Sequence, residues 1–272
     1  MQADDIGFGL FELAAMFDWV LADGFIAQLS SAAFWAAVGK IMVANIVLSG
    51  DNAVVIALAC HNLPDKYRRR AIFLGSLGAI VLRIAFCAVI GLLLGVPYLK
   101  LVGGLLLLWI GIKLVSEEEG EGDIKAHASL WAAISTIIIA DAVMSLDNAI
   151  AIAAAAKGNF TLIVTGLLIS IPIIMMGATL ISKALDRLPW LALVGAGLIG
   201  WIAGEVIAGD GRTDQVDAAG KLVEVVKPGS LAAWLDATIP HAEMVCAALG
   251  TGLVIVIGIV LARRNGKQAE KA

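Results

Sequence analysis

Apolar residues fill seven long stretches of the chain, at about residues 35–59, 71–95, 98–115, 130–156, 161–182, 190–208 and 243–262. Each is near the ~20 residues that a helix needs to cross a bilayer. Polarity rises between them. Residues 1–33 begin with Asp4 and Asp5 and so lack the basic start of a signal peptide. From Ile6 to Leu29, Phe, Leu and Trp19 mix with Glu12, Asp18 and Asp23. That mixture predicts an amphipathic helix lying on the membrane surface rather than an extra span. Ser116 to Ser129 carries Glu117, Glu118, Glu119, Glu121 and Asp123 and reads as a solvated linker. A weak surface site for divalent cations is the sharper alternative there. Residues 209–242 read as a polar outer loop, with a short strand pair expected around Lys221–Val226.

Composition agrees with the pattern. Of 272 residues, 60% are hydrophobic and 15% charged, with a mean hydropathy of +0.94. Soluble domains carry about a quarter charged residues, so the chain falls in the membrane class. A net charge of −4 argues against a nucleic-acid partner. Cys60, Cys87 and Cys246 are far apart, form no metal pattern and predict no disulfide. If the first span ends inside, twelve Lys and Arg lie on inner segments and five on outer ones. The asymmetry predicts an outer N-terminus and an inner C-terminus in a bacterial cytoplasmic membrane.

Polar residues inside the apolar runs carry the chemistry. Asn45-Ile46-Val47-Leu48-Ser49-Gly50-Asp51-Asn52-Ala53 has an echo in Asp141-Ala142-Val143-Met144-Ser145-Leu146-Asp147-Asn148-Ala149, an offset of 96 residues. A carboxylate within a span costs about 2.5–3.5 kcal/mol on insertion scales, so two matched copies need a reason. A second match pairs Leu101-Val102-Gly103-Gly104 and Trp109-Ile110 with Leu193-Val194-Gly195-Ala196 and Trp201-Ile202. Three spans per copy make the second copy enter from the opposite side, an inverted repeat with its site expected near the midplane. The fold expected is an all-α polytopic membrane protein: seven transmembrane helices, an inverted 3+3 repeat and a C-terminal helix. Its parts are an amphipathic segment (1–33), a first repeat (34–115), an acidic linker (116–129), a second repeat (130–208), an outer loop (209–242), and a seventh helix with a basic tail (243–272).

On an unbroken helix Asn45, Ser49 and Asn52 share one face, as do Asp141, Ser145 and Asn148. Asp51 and Asp147 lie roughly 100° away, and a break near Ser49-Gly50-Asp51 would turn them inward. Gly50 makes a break plausible in the first copy, and Leu146 less so in the second. The donors are all oxygen: three carboxylates, three amides and two hydroxyls. Such a set suits Mg²⁺, Ca²⁺ or Mn²⁺, whereas Zn²⁺ would call for His or Cys. Two carboxylates balance a divalent ion, and a third holding a proton suggests metal–proton exchange. Helix capping at the break and interhelical hydrogen bonding are the blander readings. Arg83, mid-span, is expected to pair with a motif carboxylate and to serve as its counter-charge when metal leaves. Lys40 is expected to snorkel, and Glu205 to sit at the interface or line an exit path. The glycines at 75, 78, 103, 104, 195, 197, 200 and 204 permit close helix contact.

The run 45–59, with Asn62-Leu63-Pro64 and the stretch from Asp141 to Ala151, resembles the TerC family of integral membrane proteins. The resemblance covers about residues 34–208, and the last span fits as well. The family is named for tellurium resistance and belongs to a larger lysine-exporter-like superfamily. Similar members export manganese, often under manganese-sensing RNA elements. The resemblance therefore implies Mn²⁺ as transported substrate, outward transport and no organic cofactor, with Asn45, Asp51, Asn52, Asp141, Asp147 and Asn148 as the metal residues. Ser49, Ser145 and Arg83 stand in support, and protons are the counter-ion expected. The alternative is a membrane-protein assembly factor whose polar motifs only hold helices together. An aspartate-based intramembrane enzyme is disfavoured, because adjacent amides suit ion coordination better than a shared proton. No Walker loop is present, so direct ATP drive is not predicted.

Overall fold

A computed structural model describes residues 31–93, 96–116, 123–156, 159–188, 190–216 and 222–269. The amphipathic segment expected before the first span lies outside the described residues, as do linker residues 117–122. Helix α1 (Ala32–Leu48) is followed at once by α2 (Gly50–Ala59), and the two axes differ by 55°. Ser49 sits at the bend with φ −116° and ψ 14°. Gly50, a weak helix former, makes the interruption cheap at this point. The new helix then places Asp51 in its first turn, where the dipole favours a negative side chain. Helix α3 (Asp65–Leu93) bends at Val89, and α4 (Leu99–Ser116) closes the first half. Helix α5 (Asp123–Ala155) runs unbroken through the second motif, as Leu146 in place of glycine predicts. Its 33 residues span about 50 Å at the usual helical rise. It begins inside the stretch read as linker, so the acidic run is shorter as a loop than the sequence suggests. Asp123 opens the helix there, an acid where the dipole favours one. Helices α6 (Phe160–Arg187) and α7 (Trp190–Ala208) complete the second half.

Beyond α7 the chain forms a hairpin, β1 (Arg212–Val216) antiparallel to β2 (Leu222–Val226), in register from Arg212↔Val226 to Val216↔Leu222. The strand pair matches the expectation for the loop. The short helix α8 (Leu231–Thr238) that follows it was not anticipated. Gly211, at φ +92°, allows the turn into β1; a side chain there would run into Ser230. Helix α9 (Ala242–Ala269) ends the described chain. Among the described residues six helices are long and apolar enough to cross a membrane alone, and the α1–α2 pair, bent by 55°, brings the number to seven if it forms one broken span. The protein is an all-α polytopic membrane protein.

Two groups of helices hold the interior. In one, α1 and α2 pack on α6, and α3 packs on α5 and α6. In the other, α4, α7 and α9 pack on one another. The groups meet where Val55 and Leu58 of α2 join Leu107, Ala140, Met144 and Ile199 in one apolar cluster. Val43, Val47, Met176, Leu180 and Leu249 face outward. Such apolar exposure would be a liability in water but is the solvent-facing surface of a protein in lipid.

Candidate functional site

The polar core is built around Arg83, whose residue is only 2% exposed. A buried guanidinium must spend its donors on acceptors, and this one finds four partners from both motif copies. Nε donates to Ser145 Oγ at 2.8 Å, and one Nη donates to Asn45 Oδ1 at 2.6 Å and to Ser49 Oγ at 2.8 Å. The other Nη donates to Asp141 Oδ1 at 2.5 Å, an ion pair inside the bundle. The expected pairing of Arg83 with a motif carboxylate is present.

The helical spacing of four then links residues within each copy. Ser49 Oγ donates to Asn45 Oδ1 at 3.3 Å, and Ser145 Oγ donates to Asp141 Oδ2 at 3.0 Å. Across the copies, Asn52 Nδ2 donates to Asp141 Oδ1 at 2.8 Å. Asn148 Nδ2 donates to the Leu48 carbonyl at 3.2 Å. That carbonyl belongs to the last turn of α1, where the bend deprives acceptors of their usual partners. An amide from the second copy thus answers the break in the first, as freed backbone within a membrane requires.

Asp51 stands apart from this network. Its Oδ1 accepts from the Asn52 backbone N–H at 2.9 Å, one of the first-turn donors of α2 that lack a partner within the helix. Its side chain is half-buried and, with Asn148, lines a cavity of about 420 Å³. Leu48 and Met144 complete that end of the cavity. The side chain of Asp147 lies outside the described residues. The structure therefore brings Asn45, Ser49, Asn52, Arg83, Asp141 and Ser145 into one cluster and sets Asp51 and Asn148 beside it. Among the described residues, no three Asp, Glu, His or Cys side chains group as a metal cluster. The donors that do meet are carboxylate, amide and hydroxyl oxygens, the set that hard cations accept. Asn52 Oδ1 is buried with no hydrogen-bond partner, an acceptor that a cation or water would satisfy.

Two contributors escape sequence reasoning. Ser170 of α6 accepts from Asn45 Nδ2 at 2.6 Å and donates to the Leu167 carbonyl at 2.7 Å. A hydroxyl in an apolar span was the available signal, and Pro172 two residues on marks the same stretch. Arg212, on the hairpin, lines the same cavity, as do Glu205, Glu224 and Glu243. Glu205, exposed near the end of α7, accepts from the Trp201 indole N–H at 2.7 Å and also lines the cavity.

Comparison with known proteins gives the same membrane architecture a lineage. The chain is 44% identical over 184 residues to the Bacillus subtilis uncharacterized membrane protein YjbE, covering 68% of this chain and 84% of that protein. It is 30% identical over 202 residues to YceF of the same organism, covering 70% of this chain and 76% of the relative. The Escherichia coli inner membrane protein YgdQ is 29% identical over 191 residues, 61% of this chain and 80% of its own length. No solved structure matches the chain. The family model described as "Integral membrane protein TerC family" matches residues 30–270, and with these relatives it establishes that the chain belongs to the TerC family of integral membrane proteins.

Proposed function

We propose that the protein is a secondary transporter that exports Mn²⁺ from the cytoplasm in exchange for protons. The observation that carries the reading is the meeting of the two motif copies at Asn52, Asp141 and Arg83 inside the bundle. Ionisable side chains within spans are costly and mark ion paths when they face the interior. The choice of Mn²⁺ among hard cations rests on the family resemblance, since oxygen donors alone would also admit Ca²⁺ or Mg²⁺.

Arg83 gives the mechanism its logic. Its guanidinium and a metal ion compete for the same Asp141 oxygens, so one must withdraw as the other binds. With metal bound, the three motif carboxylates balance a divalent ion together with Arg83. With metal gone, Arg83 answers Asp141, and protons on the remaining carboxylates neutralise the rest. Two protons per metal ion follow from that balance. Asp51 and Asn148 face the cavity and are the first motif donors a cation in it would meet.

Flux of Mn²⁺ into metal-free proteoliposomes is the test, with Asp51→Ala, Asp141→Ala and Asp147→Ala beside the unaltered chain. At least a tenfold fall in initial rate is expected for each. Undiminished flux in all three overturns the proposal. The assembly-factor reading draws on one feature: Arg83, Asn52 and Ser145 already fill Asp141's acceptors. Purified protein that binds no Mn²⁺ in a calorimeter but retains stable partner proteins would favour it.

A further inference from the structure

The cavity that reaches Asp51 and Asn148 ends under the hairpin, and one residue ties that end together. Arg212 opens β1. Its guanidinium donates to Asp236 Oδ1 of α8 at 2.6 Å, to Glu224 Oε1 of β2 at 3.3 Å and to Glu243 Oε1 of α9. Its backbone carbonyl accepts from Lys100 Nζ of α4 at 2.9 Å. Four elements thus converge on a single side chain of β1 and its peptide group. β1 also packs on α5, the helix that carries the second motif. Arg212, Thr213, Glu224 and Glu243 all line the cavity that Asp51 and Met144 line from below.

We propose that Arg212 is the hairpin-side gate of the ion path: held by Glu224, Asp236 and Glu243, it closes the mouth of the cavity above Asp51 and Asn148, and a cation leaving the cavity displaces it. The inference rests on the transport reading for its cargo but not for its geometry. A fixed guanidinium at the mouth repels a cation coming from either side. The carboxylates it holds are also the groups that a departing divalent ion would take over. Glu224, Asp236 and Glu243 are 51%, 42% and 48% exposed, so water and an incoming cation can take them over from Arg212 without leaving a buried charge unanswered. Deprotonation offers no other way to open it. Burial works against the Arg212 charge, but Glu243, Asp236 and Glu224 outweigh it and hold its pKa above the ordinary arginine value. Nε of Arg212 is buried without an acceptor, so the closed latch leaves one donor unsatisfied and is poised for release.

Solvent access to the cavity tests the gate. In a background with Cys60, Cys87 and Cys246 changed to alanine, Met144→Cys places a thiol on the cavity wall. Its reaction with a cationic, membrane-impermeant methanethiosulfonate is followed in proteoliposomes. Arg212→Gln is expected to raise the rate at least tenfold, and Arg212→Lys by less. The double change Asp236→Asn with Glu243→Gln keeps the arginine but loosens its hold, and it is expected to raise the rate severalfold. That pair serves as the deciding variant should Arg212→Gln fail to fold. Millimolar Mn²⁺ is expected to speed labelling with Arg212 intact and to change it little in Arg212→Gln. Equal labelling rates with and without the latch overturn the gate. A labelling response without Mn²⁺ flux overturns the cargo and leaves the gate standing.

Discussion

Arg83 and Asp141 form an ion pair that is almost wholly buried, and the energetics of that pair decide what it is for. A buried salt bridge adds little net stability, because desolvating both charges offsets their attraction. Removing one partner is different, since the other is left buried and unanswered at a cost of about 3–5 kcal/mol. Arg83→Met should therefore destabilise the protein by about that amount, seen as a lower midpoint in detergent thermal unfolding. The double variant Arg83→Met, Asp141→Leu should recover most of the loss, because apolar residues of similar size replace such pairs at little cost. Flux should not recover with it. A double variant that regains both stability and Mn²⁺ transport would make the pair structural only. Of the residues around this pair, Asn45, Ser49, Asn52 and Ser145 were legible from the repeated spacing alone. Ser170 was not, because a serine in a span usually bonds back to its own helix. It does so here through the Leu167 carbonyl while also receiving Asn45.

Helix packing supplies the rigid frame, and its sharpest demand falls on α7 and α9. A methyl group added at Gly200 would stand 2.6 Å from the Gly250 carbonyl oxygen, and one at Gly204 would overlap the Cys246 carbonyl. Backbone cannot rotate away as a side chain can, so Gly204→Ala must push the helices apart. A loss of about 1–3 kcal/mol is expected, the usual cost of overpacking. Gly252→Ala on the same α9 makes the control, because no atom stands within 4 Å of the new methyl. It should be neutral or stabilise by up to about 1 kcal/mol through helix propensity. Equal melting shifts for the two variants would refute the close-contact account. The spans themselves were readable because bilayer thickness fixes their length, and the α1–α2 break because Ser49-Gly50 interrupts one copy only. The start of α5 at Asp123 was missed, since an acid-rich run reads as solvated loop while an acid at a helix start also stabilises helix. The Arg212 latch was invisible for another reason: its partners lie 12, 24 and 31 residues away, and no local spacing ties them together.

At the scale of the molecule, the inverted repeat expected from the sequence can be set against the helix contacts. Exchanging α1–α2 with α5, α3 with α6, and α4 with α7 maps the packing of α1 on α6 onto that of α5 on α3. The α2–α5, α3–α6 and α4–α7 contacts map onto themselves. The exchange is not exact: Arg83 meets both Asp141 and its counterpart Asn45, but it pairs with a carboxylate in one and an amide in the other, and Asn45 is also met by Ser170. One half carries the charge and the other a neutral echo, so the two sides of the membrane need not be equivalent for the ion. Which side the hairpin faces then sets the direction of release through the Arg212 gate. The asymmetry of basic residues predicts α9's tail, with Arg263 and Arg264, on the cytoplasmic side and the hairpin outside. A fluorescent protein that matures only in the cytoplasm should glow when fused to the C-terminus, and an alkaline phosphatase fusion there should be inactive. In the cysteine-free background, Lys227→Cys, exposed beside the hairpin, should react with an impermeant maleimide in intact cells. The opposite labelling would put the cavity's mouth on the cytoplasmic side, and the Arg212 gate would then control uptake of the cation from the cytoplasm rather than its release.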